Sequence, residues 1–393
     1  METGFEPVYT DLQSVASPLG HSTVGAMLPA GTGRDLLRAD DGIRTRDPHL
    51  GKVMLYQLSH VRAPPPAKPG EGATRNHSRA DGWNPNNLQP AAGGSRTPKI
   101  NSARGYPDRV TLTSPTTVRQ LAVWRNGERL DDPDQAIVPA TDHGLVAGDG
   151  VFEAMKAGPA GAFAVQRHLN RLSRSAAAMG LPAPDHGLVR EGIAAALESW
   201  TLSESKVRVT YTGGEGPLGS GAAYGPPTLI VAVEAHQPTP PSTAVVTAPW
   251  RRNENGALTG VKSTSYAENV RGLAYAVSCG ASEAIFLNTA GQVCEGTGTN
   301  IFFVFADEVV TPPLSSGPLA GITRELLLEW TAVTEHNVTP EEAASADEVF
   351  LTSSLRDVQG IHRWDDRDLT GPNPVTERLA DLFQQRSADQ LDP

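Results

Sequence analysis

Three features of the 393-residue sequence predict an α+β fold in two lobes. Short runs rich in β-branched and aromatic residues are interspersed with segments whose apolar positions recur at helical spacing. A stretch with three prolines, Ala235 to Ser242, reads as a linker between two groups of these elements. Ahead of both lies a sequence rich in chain breakers and poor in apolar periodicity, which predicts a disordered extension over residues 1–115.

The extension is a different kind of text. It carries clusters such as Ala63-Pro64-Pro65-Pro66-Ala67-Lys68-Pro69-Gly70 and Trp83-Asn84-Pro85-Asn86-Asn87. It holds 13 Lys plus Arg against 10 Asp plus Glu, whereas residues 116–393 hold 20 against 34 and are strongly acidic. Met1-Glu2-Thr3-Gly4-Phe5-Glu6 lacks a basic segment leading into an apolar one, so no export signal is read there. Thr3 to His21 and Asp41 to Leu50 resemble peptides translated across transfer-RNA genes. The expected start of the mature chain is therefore near Val110 or Val118, each as a non-ATG start.

The folded part opens at Leu121-Ala122-Val123-Trp124, where Asn126-Gly127 is a strong two-residue hairpin signal. Helical spacing then runs from Gln166 to Met179, with Leu169, Leu172, Ala176 and Met179 on one face, and again from Leu188 to Trp200. Strands are expected at Val207–Tyr211 and Thr228–Val233. Beyond the linker come a strand at Ala244–Val246, a helix from Tyr266 to Ser278, and strands at Glu283–Leu287 and Asn300–Val304. A helix opens at Ile322, and a last strand is expected at Glu348–Leu351.

Composition removes several function classes. No run approaches the roughly eighteen apolar residues of a membrane span. Cys279 and Cys294, the only cysteines, cannot build a disulfide framework or a cysteine zinc site, and no metal site is read. A reducing cytoplasm fits. The net charge of −11 argues against broad electrostatic binding to nucleic acid or an anionic membrane, while leaving room for a local basic pocket that holds a small anion.

Between residues 116 and 393 only Lys156, Lys206 and Lys262 are available for covalent imine chemistry. Lys156 and Lys206 sit in strand patterns as ordinary surface positions. Lys262 lies in Leu258-Thr259-Gly260-Val261-Lys262-Ser263-Thr264-Ser265-Tyr266, among small and hydroxyl residues that permit close approach of a ligand. Its surroundings, with Glu295-Gly296-Thr297-Gly298-Thr299-Asn300-Ile301-Phe302 and Gly321-Ile322-Thr323-Arg324, resemble the fold-type IV pyridoxal-phosphate enzymes. These are the class IV aminotransferases: branched-chain aminotransferase, D-amino acid aminotransferase and aminodeoxychorismate lyase. Upstream, Asp142-His143-Gly144, Gly148-Asp149-Gly150-Val151-Phe152-Glu153 and His168-Leu169-Asn170-Arg171-Leu172 resemble the family in the same order. The resemblance extends from Leu121 to Phe383.

The resemblance implies a small α/β lobe over residues 119–236, a larger mostly β lobe with flanking helices over 243–385, and pyridoxal 5′-phosphate between them. It implies a small-molecule amino substrate and a homodimer. Lys262 would bind the cofactor aldehyde and carry the substrate proton, which needs a depressed pKa. Glu295 would pair with the pyridine nitrogen. Arg171, the helix start at Ile322 and Thr323, and the Thr297, Gly298 and Thr299 loop would hold the phosphate. Tyr266 either orients the cofactor oxygen or packs at its helix start. His143 reads as structural and Cys294 as a buried small residue. Arg251, Arg252 and Arg271 are candidates for recruiting a carboxylate substrate.

Within the family, the Gly148-Asp149-Gly150 element, Val209 to Gly214 and Pro217 to Gly221 look like aminodeoxychorismate lyase, which forms 4-aminobenzoate and pyruvate on the way to folate. That is the main expectation. One departure favours the alternative, an aminotransferase of branched-chain L-amino acids or of D-amino acids: Glu153 stands where the lyase pattern has threonine. A non-catalytic cofactor-binding homologue is the expectation of a different class.

Overall fold

The computed structural model describes residues 121–132, 138–198, 200 and 204–393. The expected extension over residues 1–115 and the expected starts at Val110 and Val118 lie outside the described residues. Strands β1 (Leu121–Arg125) and β2 (Glu128–Arg129) form the expected hairpin. Asn126 and Gly127 turn it with φ of 45° and 102°, the two left-handed residues that a type I′ turn requires.

After α1 (His143–Val146) the first sheet is completed by β3 (Gly150–Gly158), β4 (Gly161–Ala162), β5 (Ser205–Thr212) and β6 (Thr228–Ala235). Its order is β2-β1-β6-β5-β3-β4, and every neighbouring pair is antiparallel. Strand alternation gives this sheet two unlike faces. Val151 and Met155 of β3 and Val207, Val209 and Tyr211 of β5 point to one face. There they are buried by Leu169, Leu172 and Ala176 of α2 (Val165–Ala178) and by Val189 and Ile193 of α3 (His186–Leu197). Phe152, Lys156, Lys206 and Arg208 belong to the other face. Lys156 and Lys206 are partly exposed and paired with Asp357 and Glu234, in keeping with ordinary structural roles.

The second sheet has nine strands among the described residues. They are β7 (Ser242–Arg252), β8 (Glu283–Asn288), β9 (Val293–Gly296), β10 (Asn300–Phe305), β11 (Glu308–Thr311), β12 (Val333–Glu335), β13 (Glu348–Ser353), β14 (Asp357–Trp364) and β15 (Arg367–Asp368). Helix α4 (Ala267–Ser278) follows β7, α5 (Ile322–Trp330) and α6 (Pro340–Ser345) lie between β11 and β13, and α7 (Pro374–Asp389) closes the chain. The continuous apolar run of β10 reflects burial on both faces. Ile301 and Phe303 join the core that holds Val245, Ile285 and Leu351. Phe302 and Val304 face Leu326, Leu379 and Phe383 of α5 and α7, with Phe302 stacked on Phe350 at 4.9 Å.

The sequence reading omits β14 and α7. β14 carries Asp357, Gln359, His362 and Arg363, too polar a run to read as a strand, yet it lies between β13 and β7 within the sheet. The segment after β7 returns to the first sheet: Phe152 N donates to Lys262 O at 2.9 Å and Thr264 N donates to Gly150 O at 2.8 Å. These two bonds fix Lys262 against β3.

Candidate active site

A cavity of about 360 Å³ is walled by Lys262, Glu295, the 297–299 loop, the start of α5 and the end of β13. That volume falls in the ordinary range for small-molecule sites. Lys262 is half-buried, with Nζ 4.6 Å from the centre of the Phe152 ring. Burial, then the nearby Arg171 charge, lowers its pKa to about 8. The leading cause is the hydration that the ammonium loses in this partly enclosed position.

Three groups reach this region from one stripe of α2. His168, Arg171 and Ser175 are three and four residues apart and so share a face. Ser175 Oγ accepts from Lys262 N at 3.3 Å. Arg171 donates from Nε and Nη2 to the two oxygens of Glu153, at 2.8 and 2.6 Å, and from Nη1 to Ala320 O at 2.9 Å. His168 Nδ1 donates to Glu153 Oε2 at 2.7 Å. Burial by itself would raise Glu153, but the charge and hydrogen bonds of Arg171, with those of His168, hold its carboxyl well below the usual range. Burial lowers His168, so the ring is neutral and Nε2 is free to accept from Ser354 Oγ at 3.4 Å. Glu153 thus leaves the departure noted in the sequence with a physical role: it neutralises the arginine that borders the cavity.

The start of α5 is prepared for an anion. Gly321 is its N-cap and offers no side chain, so the first-turn N–H groups of Ile322 and Thr323 carry no side-chain cap. A Cβ at Gly321 would collide with Asn300 Oδ1, whose amide Nδ2 donates to Leu319 O at 2.9 Å. The glycine therefore serves a close approach.

The 297–299 loop is braced from behind. Glu283, buried, accepts from Thr297 N at 2.8 Å, from the Thr297 hydroxyl and from Thr299 Oγ1 at 3.4 Å. Both threonine hydroxyls are thus committed to Glu283, and a ligand would meet this loop through its backbone and Gly298. Tyr266 adjoins α4 as its N-cap rather than as its first residue. Its hydroxyl donates to Thr297 O at 2.8 Å, and its ring meets Phe152 edge-on at 5.3 Å. Burial, then Glu295 and Glu283, pushes its pKa up to about 12.

Glu295 Oε2 accepts from Leu319 N at 2.9 Å, and Oε1 lies 3.6 Å from Arg252 Nη1. Burial raises its pKa, and Arg252 opposes the rise. Of the three recruiting arginines, Arg252 lines the cavity, whereas Arg251 is exposed and Arg271 lies over Trp250 at 5.3 Å. His143 is structural: it is buried, donates from Nε2 to Pro217 O at 2.9 Å and faces Asp149. Cys294 is buried and its thiol pKa is raised by burial.

The residues around the cavity fit a phosphate-bearing aldehyde. A half-buried lysine, an uncapped helix start and an arginine adjoin one space, and Thr352 Oγ1, on a residue 1% exposed, borders the same cavity with no hydrogen-bond partner. Sequence reasoning missed Thr352, Ser353 and Ser354, which lie at a strand end without a local signal. It quoted His168 without a role, although its spacing from Arg171 is itself the signal.

Residues 150–364 match the family described as amino-transferase class IV. The chain is 31% identical to a putative branched-chain-amino-acid aminotransferase of Methanocaldococcus jannaschii, over 67% of this chain and 96% of the relative. It is 27% identical to the bifunctional aminodeoxychorismate lyase / D-amino acid transaminase of Mycobacterium tuberculosis, over 67% and 97%. The PLP-bound structure of a hypothetical aminotransferase from Mycobacterium tuberculosis matches with a TM-score of 0.62 and 28% identity, over 68% of this chain and 100% of that one. The fold is that of the fold-type IV transaminases, whose class IV members use pyridoxal 5′-phosphate. With its cavity lysine, anion-ready helix start and matching sequence, this enzyme belongs to the class IV aminotransferase family.

Proposed function

We propose that this enzyme moves an amino group between an amino acid and a 2-oxo acid, using pyridoxal 5′-phosphate held beside Lys262. The observation that carries the reading is Lys262 itself, a half-buried amine with a depressed pKa on the wall of the cavity. When bound, the cofactor supplies an aldehyde and a ring that stabilises negative charge at the substrate α-carbon. Lys262 Nζ would anchor the aldehyde and, as a free amine, would take up and return the proton of the substrate α-carbon. Glu295 holds a proton at the ring nitrogen. Arg171, the Ile322 and Thr323 amides and the Thr323 hydroxyl hold the phosphate, with the Gly298 backbone beside them. Tyr266, whose hydroxyl donates to Thr297 O, can only accept from the ligand at that oxygen, and it fixes the 297–299 loop.

Glu153 favours transfer over lysis. Where the lyase pattern has a threonine hydroxyl, this chain has a carboxylate locked between Arg171 and His168. A second reading retains the lyase expectation: release of pyruvate from 4-amino-4-deoxychorismate to give 4-aminobenzoate, a step toward folate. A relative whose name carries both activities supports it. The test mixes the pyridoxal-phosphate-loaded enzyme separately with aminodeoxychorismate and with L- and D-amino acids, without an acceptor. Stoichiometric conversion to the pyridoxamine form, with one 2-oxo acid per site, is expected; catalytic 4-aminobenzoate release with no such conversion would overturn the transferase reading.

We also propose a cytoplasmic homodimer. The unpaired Cys279 and Cys294 suit a reducing compartment, and no helix among the described residues is long and apolar enough to cross a membrane. Val270, Leu273 and Val277 leave an apolar stripe exposed on α4, which a second copy would cover. Replacing Val270 and Val277 together by glutamate should shift the sedimenting species from dimer to monomer.

A further inference from the structure

Two side chains on the cavity wall, from strands β7 and β9, flank a buried ring on the strand between them. Arg252 ends β7, Phe286 lies in β8, and Glu295 in β9 is the cross-strand partner of Phe286. The Arg252 guanidinium lies over the fully buried Phe286 ring, with Cζ 4.5 Å from its centre. It sits between two carboxylates: Glu268 Oε2 is 3.4 Å from Nε, and Glu295 Oε1 is 3.6 Å from Nη1. Glu268 is about half exposed, whereas Glu295 is buried. Nε and Nη2 of Arg252 are themselves buried and make no hydrogen bond. The Phe286 face and the two carboxylate charges together hold this arginine in place.

We propose that Arg252 is the positioning residue of Glu295, holding its carboxylate charged and aimed into the cavity so that it can keep a proton on a bound heteroaromatic nitrogen. The inference rests on the reading of Glu295 as the partner of the pyridine nitrogen. The geometry leaves few other supports. Leu319 N–H satisfies Oε2, and Arg252 is the cation that faces Oε1. Without that charge a buried carboxylate takes up a proton itself, and its grip on a protonated ring is lost. Burial already pushes Glu295 in that direction, with Arg252 the leading opposing influence. Phe286 adds rigidity, because Gly272 of α4 backs it so closely that a Cβ there would lie 2.8 Å from the ring.

The experiment is a double-mutant cycle on the full chain, read by the dissociation constant of pyridoxal 5′-phosphate and by the pH midpoint of its visible band. Arg252→Gln should weaken cofactor binding roughly tenfold and move the band's midpoint. Glu295→Gln should weaken binding at least as much. The combined variant should bind no more weakly than Glu295→Gln alone, because Arg252 acts through that carboxylate. Should Arg252→Gln fail to fold, Arg252→Lys keeps the charge without the fork and should lose a few-fold in affinity, a loss that vanishes in the Glu295→Gln background. Losses that multiply, or an Arg252 variant that binds and absorbs as the parent does, would overturn the proposal alone. An unchanged band and affinity in Glu295→Gln would instead remove the reading of Glu295 on which it stands, and the proposal with it.

Discussion

Lys262→Ala should lower turnover by more than about 10⁴-fold, since one side chain supplies both the covalent anchor and the proton carrier. The visible band that borohydride bleaches in the parent enzyme should disappear with it. The fold should remain. Lys262 donates its backbone N–H to Ser175 and accepts from Phe152 through its carbonyl, and alanine keeps both bonds. Removing a partly desolvated amine also relieves a desolvation cost, so the melting temperature should not fall. In the parent protein, loading of the apoenzyme with pyridoxal 5′-phosphate should accelerate as pH rises through about 8, the pKa to which burial and Arg171 lower this lysine. Turnover of Lys262→Ala within about 100-fold of the parent would refute the assignment.

Arg171→Ala carries the second large effect, and it falls on stability as well as on cofactor retention. The sequence suggests a phosphate contact alone, whereas Arg171 also neutralises buried Glu153 through two short hydrogen bonds. Removing one member of a buried pair strands the other charge, at a cost of about 3–5 kcal/mol. Combining Arg171→Met with Glu153→Gln removes both charges, while the glutamine can still accept from His168 Nδ1. Its unfolding free energy should lie above that of Arg171→Ala, even though both lose affinity for the cofactor. Equal losses would mean that the charge pair is not what stabilises this helix against β3. The pH dependence follows the same logic. Glu153 has a folded pKa held below its unfolded value, so the unfolded state binds the extra proton. Its stabilising contribution is complete above the unfolded carboxylate pKa, about 4.3, and is lost as pH falls through the folded one. Urea midpoints of the parent should therefore drop on acidification below that point, and the Glu153→Gln double variant should lack this part of the drop.

Much of the fold was legible because strand and helix periods are local. Leu169, Leu172 and Ala176 announce α2 at helical spacing, and Asn126-Gly127 announces the hairpin without knowledge of anything it packs against. Local signals fail where burial comes from elsewhere. β14 intersperses Asp357, Gln359, His362 and Arg363 with its core residues Val358 and Ile361, and it is a strand because β13 and β7 pair with it on either side. α7 has Val375, Leu379 and Phe383 at spacings of four, but its partners Phe302 and Phe350 lie in strands that its own sequence does not reveal.

For the site, the sequence by itself determined the chemistry on offer: one lysine among small residues, a glutamate before a Gly-Thr-Gly-Thr loop, an arginine on a helix, and a glycine opening another helix. Only the tertiary structure decided which of these groups meet and in what charge state. Glu153 and Arg171 are eighteen residues apart, and they pair because α2 covers the face of β3 that carries Glu153. Lys262 reaches the cavity because its backbone bonds to the edge of β3, more than a hundred residues upstream. Arg252 and Glu295 face each other because β8 sets their strands on either side of Phe286. The spacing of side chains along one element follows from backbone geometry and can be read in one dimension. The desolvation and pairing that set a charge depend on strand order and on which face a helix covers, and those exist only once the chain has folded.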